Sequence, residues 1–210
     1  MKIAKQTISQ NEFSSYKNDI KNTLRKMRNG LVHAQGSEKT KHGKAGEIAI
    51  CKLLNFIDQN GNVYEQNGRG CDVPKEIAMR SLLPKELHHD IEVKYYKSKS
   101  GWTLMGDAEK KIAKIRKGLV LIKGYYDEDP KNPKPILHIE KISPNEDDQK
   151  AFDEMIEVAK FVKDYRNSVE KTREKVIEYN AKCKSKRFSL NNCSSSTRNS
   201  RQLQLVDRWS

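Results

Sequence analysis

The sequence predicts an α/β fold: a compact core around a mixed central β-sheet flanked by helices, with basic segments at both ends. Three observations lead to it. Leu119-Val120-Leu121-Ile122 is a near-continuous apolar run followed by Gly124, as in a central strand buried on both faces. Ile91, Val93 and Tyr95 alternate with Asp90, Glu92 and Lys94, the period-two pattern of a second strand. Around them, apolar residues recur at three- and four-residue spacing and mark helices. Of the 210 residues 35% are hydrophobic and 33% charged, so one core forms but does not use the whole length.

Taken in order, Ser9-Gln10-Asn11-Glu12 reads as a capping box. The stripe Phe13, Tyr16, Ile20, Leu24, Met27 and Leu31 then predicts a helix near 10–28. Gly30 and the polar stretch His33–Gly43 read as a mobile loop or linker. A second helix is expected from about Gly43 to Ile57, burying Ile48, Leu53, Leu54 and Ile57. Asn62 to Gln66 is a short strand candidate, and Asn67-Gly68-Arg69-Gly70 is a turn by composition. Asp72 and Val73 begin the next strand or its approach, with Pro74 arguing against a central ladder position. Residues 74–88 fit either a hairpin excursion or a short helix.

Beyond the Asp90–Tyr96 strand, Leu104 to Lys117 reads as helix, with Ala108, Ile112 and Ile115 on one side and Gly118 as its C-cap. After the Leu119–Ile122 strand, a turn over Asp127–Lys134 leads to a strand from Ile136 to Ile142. Phe152, Met155, Ile156, Ala159, Val162 and Tyr165 predict a helix continuing to about Tyr179, long enough to support a dimer interface or to cover the sheet. The Ser-, Asn- and Arg-rich tail from Lys182 is expected to be disordered in isolation, with Leu203, Leu205, Val206 and Trp209 available for docking. The expected organisation is a helical basic arm (1–39), a core with its covering helix (40–181) and a basic flexible tail (182–210).

Charge is unevenly placed. The formal net charge is +13, yet residues 1–44 hold 10 basic against 3 acidic groups and residues 166–210 hold 11 against 4. The middle is close to neutral, with a basic stretch over 94–123. Basic flanks beside a neutral core suit binding to a phosphate backbone. No apolar span or signal-peptide segment accompanies the charge, so a membrane partner is not expected and the compartment expected is the cytoplasm. Cys51, Cys71, Cys183 and Cys193 form no C-x2-C pair and read as reduced thiols.

The candidate chemistry centres on Asp72, Glu92 and Lys94. Glu92 and Lys94 leave the same face of their strand, which is then either solvent-facing or a site. Asp72 lies 20 residues upstream of Glu92, after the glycine-rich turn, and Glu47 lies on the preceding helix. Hydrolysing a phosphodiester needs charge stabilisation and an activated water, which carboxylates holding Mg²⁺ supply together with a lysine. On this reading Asp72 and Glu92 ligate metal, Val93 lends its backbone carbonyl, and Lys94 addresses the nucleophile. Glu47 is weighed as a further ligand against a glutamate favoured by a helix start.

The segments Gly43-Lys44-Ala45-Gly46-Glu47-Ile48-Ala49, Gly68-Arg69-Gly70-Cys71-Asp72-Val73 and Asp90-Ile91-Glu92-Val93-Lys94 resemble the PD-(D/E)XK nuclease superfamily. That superfamily includes type II restriction endonucleases, archaeal Holliday-junction resolvases and Mrr-like enzymes. The resemblance spans roughly residues 40–142. It implies a restriction-endonuclease-like core, Mg²⁺ with Mn²⁺ able to substitute, and commonly a homodimer. It assigns Asp72 the first metal-binding aspartate, Glu92 the second acidic position, Lys94 the motif lysine and Glu47 the additional helix acid. Cys71 stands where the motif has proline, a position that is not a ligand.

The function implied is a metal-dependent DNA endonuclease leaving 5′-phosphates, as a structure-selective resolvase or a restriction enzyme. A non-catalytic DNA-binding or packaging protein using the two basic ends is the competing class. No nucleotide cofactor is expected, because Gly68-x-Gly70 is neither a Walker motif nor a dinucleotide fingerprint. Arg69 and Gln66 are candidate substrate contacts, and Lys97, Lys99, Lys110, Lys111 and Lys114 candidate phosphate contacts. Tyr96 and Trp102 are candidates for base stacking or core packing. Asp90 reads as a strand-start carboxylate rather than a distant ligand, and His42, His88 and His89 as loop histidines.

Overall fold

A computed structural model describes residues 3–7, 9–30, 38–64, 72–96, 102–126, 135–165, 167–191 and 201–206. It is a mixed α/β structure with two small sheets flanked by helices. Its elements divide between two compact units, Met1–Lys99 with Gly118–Ile142, and Ser100–Lys117 with Ser143–Ser210.

The first unit holds β1 (Ile3–Thr7), α1 (Gln10–Arg28), α2 (Glu38–Leu53), the short α3 (Lys75–Ala78), a 3-10 turn (Lys85–Leu87), β2 (Ile91–Tyr96), β4 (Val120–Tyr126) and β5 (Pro135–Lys141). The sheet order is β1-β5-β4-β2. β2 runs parallel to β4, and the other two pairings are antiparallel. The Leu119–Ile122 run is the interior strand expected, with Val120, Leu121 and Ile122 fully buried.

Helix α1 starts as its sequence requires. Glu12 N–H donates to Ser9 Oγ at 3.3 Å, while Ser9 N–H donates to Glu12 Oε2 at 2.9 Å. Two otherwise unpaired donors are thereby satisfied at once. The stripe Tyr16, Ile20 and Met27 then meets Ala45, Ala49 and Ile50 of α2 and the inward residues Ile91, Val93, Tyr95, Val120, Ile122, Leu137 and Ile139. Two glycines allow this close seat. A Cβ on Gly46 would stand 2.0 Å from the Tyr95 ring, and one on Gly124 would stand 2.6 Å from Ile50 Cδ1.

Several elements differ from the sequence expectation. Helix α2 begins at Glu38, inside the stretch expected to be a loop up to Gly43. The chain before α1, expected to be part of a helical arm, includes β1, which pairs with β5. Asn62 to Gln66 is no ladder strand over its described part; Val63 makes an isolated bridge with Ile57. Val73 likewise bridges Ile91 once, and the Pro74 ring, which lacks an N–H, ends the pairing there. Residues 74–88 take the short-helix alternative.

The second unit holds β3 (Trp102–Asp107), α4 (Ala108–Arg116), α5 (Glu146–Asp164), α6 (Val169–Lys182), β6 (Phe188–Leu190) and β7 (Gln202–Val206), with antiparallel sheet order β3-β7-β6. The helix expected from Leu104 begins only at Ala108, because Leu104 to Asp107 belongs to β3 and Asp107 caps α4. The single helix expected to reach Tyr179 is two, broken at Tyr165–Ser168. The tail expected to be disordered supplies two strands. Phe188, Leu190, Leu203 and Leu205 are buried, and Asn180 of α6 clamps Leu190 by bonds of 2.7 and 3.0 Å. The apolar stripe of α5 is likewise buried, with the Phe152 and Phe188 rings 4.8 Å apart. Among the described residues no helix is long and apolar enough to cross a membrane.

Candidate active site

The candidate site lies in the first unit and is built on β2. Because Ile91, Val93 and Tyr95 enter the helix-covered core, alternation sends Glu92 and Lys94 to the opposite face. That face is not a solvated edge: Glu92 is only 3% exposed. A buried carboxylate needs a charge partner, and the strand supplies it two residues on. Lys94 Nζ stands 2.7 Å from Glu92 Oε1.

Asp72 joins from the free side of β2. Val73 N–H donates to Ile91 O at 3.0 Å and Ile91 N–H donates to Val73 O at 2.8 Å. One step further along β2, the Asp72 side chain takes the place of a strand partner. Its Oδ2 accepts the Val93 N–H at 2.8 Å and stands 3.8 Å from Lys94 Nζ. Val93 thus enters the group through its backbone, while its side chain is fully buried.

Glu47 lies well inside α2, not at a helix start, so the helix-dipole explanation for a glutamate there does not apply. Gly46, pressed against Tyr95, holds this turn of α2 on β2. Burial, the largest influence, pushes the Glu47 carboxyl up to about 7, with Asp72 and Glu92 adding to the rise and Lys94 and Lys44 opposing it. These mutual influences bring Glu47, Asp72, Glu92 and Lys94 into one electrostatic group. For Lys94, burial disfavours the ammonium, but Glu92, Asp72 and Glu47 outweigh it and hold its pKa above the usual lysine value. Among the described residues no three His, Cys, Asp or Glu side chains stand close enough together to hold a metal ion as they are.

The remaining candidates separate. Asp90 Oδ1 accepts the Lys75 N–H at 3.2 Å, the structural role expected of a strand-start carboxylate. His88 Nε2 bonds Leu83 O at 3.0 Å, and His89 lies against Gly118. Lys111 is 6% exposed, which corrects its assignment as a surface phosphate contact. Lys110 is exposed and Lys114 half-buried on α4 of the second unit. Gln66, Arg69, Lys97 and Lys99 lie outside the described residues, as does the Trp102 side chain. Tyr96 is half-buried at the end of β2.

Sequence reasoning missed three ionisable residues on the same sheet face. Lys123 of β4 is the register partner of Lys94, and His138 of β5 is the partner of Lys123. One pleat back, Leu121 lies between Glu92 and Glu140. Lys123, His138 and Glu140 are 2%, 2% and 5% exposed. The signal was present as parity: Lys123 interrupts an apolar strand, and His138 and Glu140 alternate with Leu137 and Ile139.

Comparison of the chain with models of known protein families, with curated proteins and with solved structures found no match.

Proposed function

We propose that the protein is a metal-dependent DNA endonuclease with a restriction-endonuclease-like core. The observation that carries this reading is the buried group on β2, in which the Lys94 ammonium stands 2.7 Å from Glu92 and 3.8 Å from Asp72. Glu47 on α2 supports it too, since a structural ion pair has no need of a third, partly neutralised carboxyl.

The donor types, though not their present spacing, are those that Mg²⁺ or Mn²⁺ take. Asp72, Glu92 and Glu47 offer only oxygen, the ligand type hard cations take, and the Val93 carbonyl is a further candidate. Burial, with Asp72 and Glu92 adding to it, raises the Glu47 pKa, and a divalent cation would favour the ionised carboxylate. When bound, such an ion supplies Lewis-acid stabilisation of phosphoryl oxygens and a more acidic water. The side chains do the rest. Asp72 is held in place by the Val93 N–H. Lys94 would orient the attacking water and offset charge building at phosphorus. Water oxygen bonds to phosphorus as the 3′-oxygen departs with the bonding pair and takes a proton, leaving a 5′-phosphate. The basic ends of the chain grip the backbone regardless of sequence, and a homodimer is the assembly that goes with this reading.

The test uses purified protein with labelled linear duplex, four-way junction, flap and single-stranded RNA, each in Mg²⁺ or EDTA. Mg²⁺-dependent cleavage of a DNA substrate is expected; preference for the junction identifies a resolvase, and defined duplex fragments identify a restriction enzyme. Tight, salt-sensitive binding with no cleavage of any substrate would instead establish a non-catalytic DNA-binding protein.

A further inference from the structure

Two aromatic pairs in the second unit are built for different surroundings. Phe152 and Phe188 are buried and meet edge to face, with ring planes 71° apart. Such a pair fills a core. Phe161 and Tyr165 lie one turn apart at the end of α5, with ring centroids 4.4 Å apart and planes only 26° apart. The helix sets this geometry. Tyr165 N–H donates to Phe161 O at 2.9 Å, and side chains four residues apart lie one above the other. Phe161 is half-buried and Tyr165 is 46% exposed. The stack therefore begins in the unit and ends in solvent.

Cations from α6 reach across to it. Lys171 Nζ lies 5.9 Å from the Tyr165 centroid, and Lys175 Nζ lies 5.9 Å from the Phe161 centroid. Both distances are at the outer limit of a cation–π contact, so the ammonium groups are only weakly held by the rings. Lys175 Nζ also stands 3.8 Å from Glu178 Oε2, and Lys182 Nζ stands 2.8 Å from Glu178 Oε1. Over residues 165–187 the chain holds 8 basic against 3 acidic residues, so the surroundings of the stack are positive. A flat π surface beside cations is complementary to a nucleotide, the ring meeting the base and the ammonium its phosphate. In a duplex the bases are already stacked on one another. An acidic peptide would meet the cations but leave the ring face unused.

We propose that the Phe161–Tyr165 stack receives an unpaired base of single-stranded nucleic acid, with Lys171 and Lys175 holding the adjoining phosphates. The base stacks on the exposed side of Tyr165, and the Lys171 ammonium pairs with its phosphate. The site acts by binding alone. It adds to the nuclease reading a preference for substrates that present unpaired bases, and it does not depend on that reading.

Affinity is measured by fluorescence anisotropy on the full chain in EDTA, with the Tm of each variant recorded. The probes are labelled oligo(dT), oligo(U) and duplex DNA of about 15 nucleotides. Tyr165→Ala and Tyr165→Leu are each expected to weaken strand binding about tenfold, and Tyr165→Phe to keep it within about threefold. Leucine keeps an apolar contact with Phe161 but has no flat face, so its loss separates stacking from packing. Duplex affinity is expected to stay within about twofold in all three variants. Lys171→Gln is expected to make the slope of log affinity against log salt shallower by about 0.7 on the single strands, a readout that remains if a Tyr165 variant fails to fold. Tighter binding of oligo(dT) or of oligo(U) supports the inference and identifies the strand as DNA or RNA. Unchanged strand affinity in Tyr165→Ala, wild-type affinity in Tyr165→Leu, an equal fall on duplex, or an unchanged slope in Lys171→Gln overturns it. So does a wild type that binds neither strand. Mg²⁺-dependent cleavage of duplex tests the nuclease reading separately from all of these outcomes.

Discussion

The two faces of the β2–β4–β5 sheet are made from the same strands by alternate residues, yet they are built on different physics. One face carries Ile91, Val93, Tyr95, Ile122, Leu137 and Ile139 against α1 and α2. The other carries Glu92, Lys123, His138 and Glu140, about as deeply buried, and the half-buried Lys94. Apolar burial gains roughly 25 cal/mol per Å² without directional demands. Buried charge gains little net stability and is costly when one member is removed. A protein that needed only a stable sheet would gain from apolar residues on both faces. The charged face therefore gives up stability that an apolar one would keep, and the two faces should respond differently to substitution.

The largest effect is expected on the apolar face. Gly46→Val places side-chain atoms inside the Tyr95 ring, and chemical denaturation should show a loss of about 3 kcal/mol or more. Only slightly smaller is the effect of Lys94→Met on the charged face. It leaves Glu92 buried without its 2.7 Å partner and should cost about 3 kcal/mol in EDTA, with much of that recovered on adding Mn²⁺. An equal loss with and without Mn²⁺ would make Lys94 a structural residue only.

Glu47 gives a pH-dependent effect of intermediate size. Its carboxyl is raised from 4.5 to about 7 in the folded protein, so between those values the folded state binds more protons than the unfolded state. Stability from this group is therefore present at low pH and lost as pH rises from about 4.5 to about 7. Glu47→Gln should stabilise the metal-free protein by about 1–2 kcal/mol at pH 8 and by little at pH 4.5, allowing for partial solvent screening. Mn²⁺ affinity should change in the opposite sense, rising with pH as Glu47 loses its proton. The smallest effect belongs to Asp90→Ala, which removes one bond to the Lys75 N–H; about 1 kcal/mol of stability should be lost and cleavage kept.

Local patterns were legible in the sequence wherever the signal was local. The capping box of α1, the β2 alternation and the interior strand β4 rest on residues that determine their own structure. β3 was hidden because Leu104, Ala108, Ile112 and Ile115 keep a helical spacing through its end, and only Gly106 at φ 89 and the register shift beside it separate strand from helix. β1, β6 and β7 exist by pairing with distant strands, so a short segment rich in polar residues carried too little pattern of its own. The same holds for the site. Asp72, Glu92, Lys94 and Glu47 were visible through spacing and resemblance. Lys123, His138 and Glu140 become neighbours of that group only once strand register is known.

The central claim, that the charged face performs phosphodiester hydrolysis, is tested most directly by comparing wild type with Asp72→Asn. DNA cleavage in Mg²⁺ and DNA affinity in EDTA are measured on the same preparations. The account predicts cleavage reduced by about a hundredfold or more, with affinity unchanged within about threefold. Equal cleavage by the two proteins, or cleavage and affinity falling together, would contradict it.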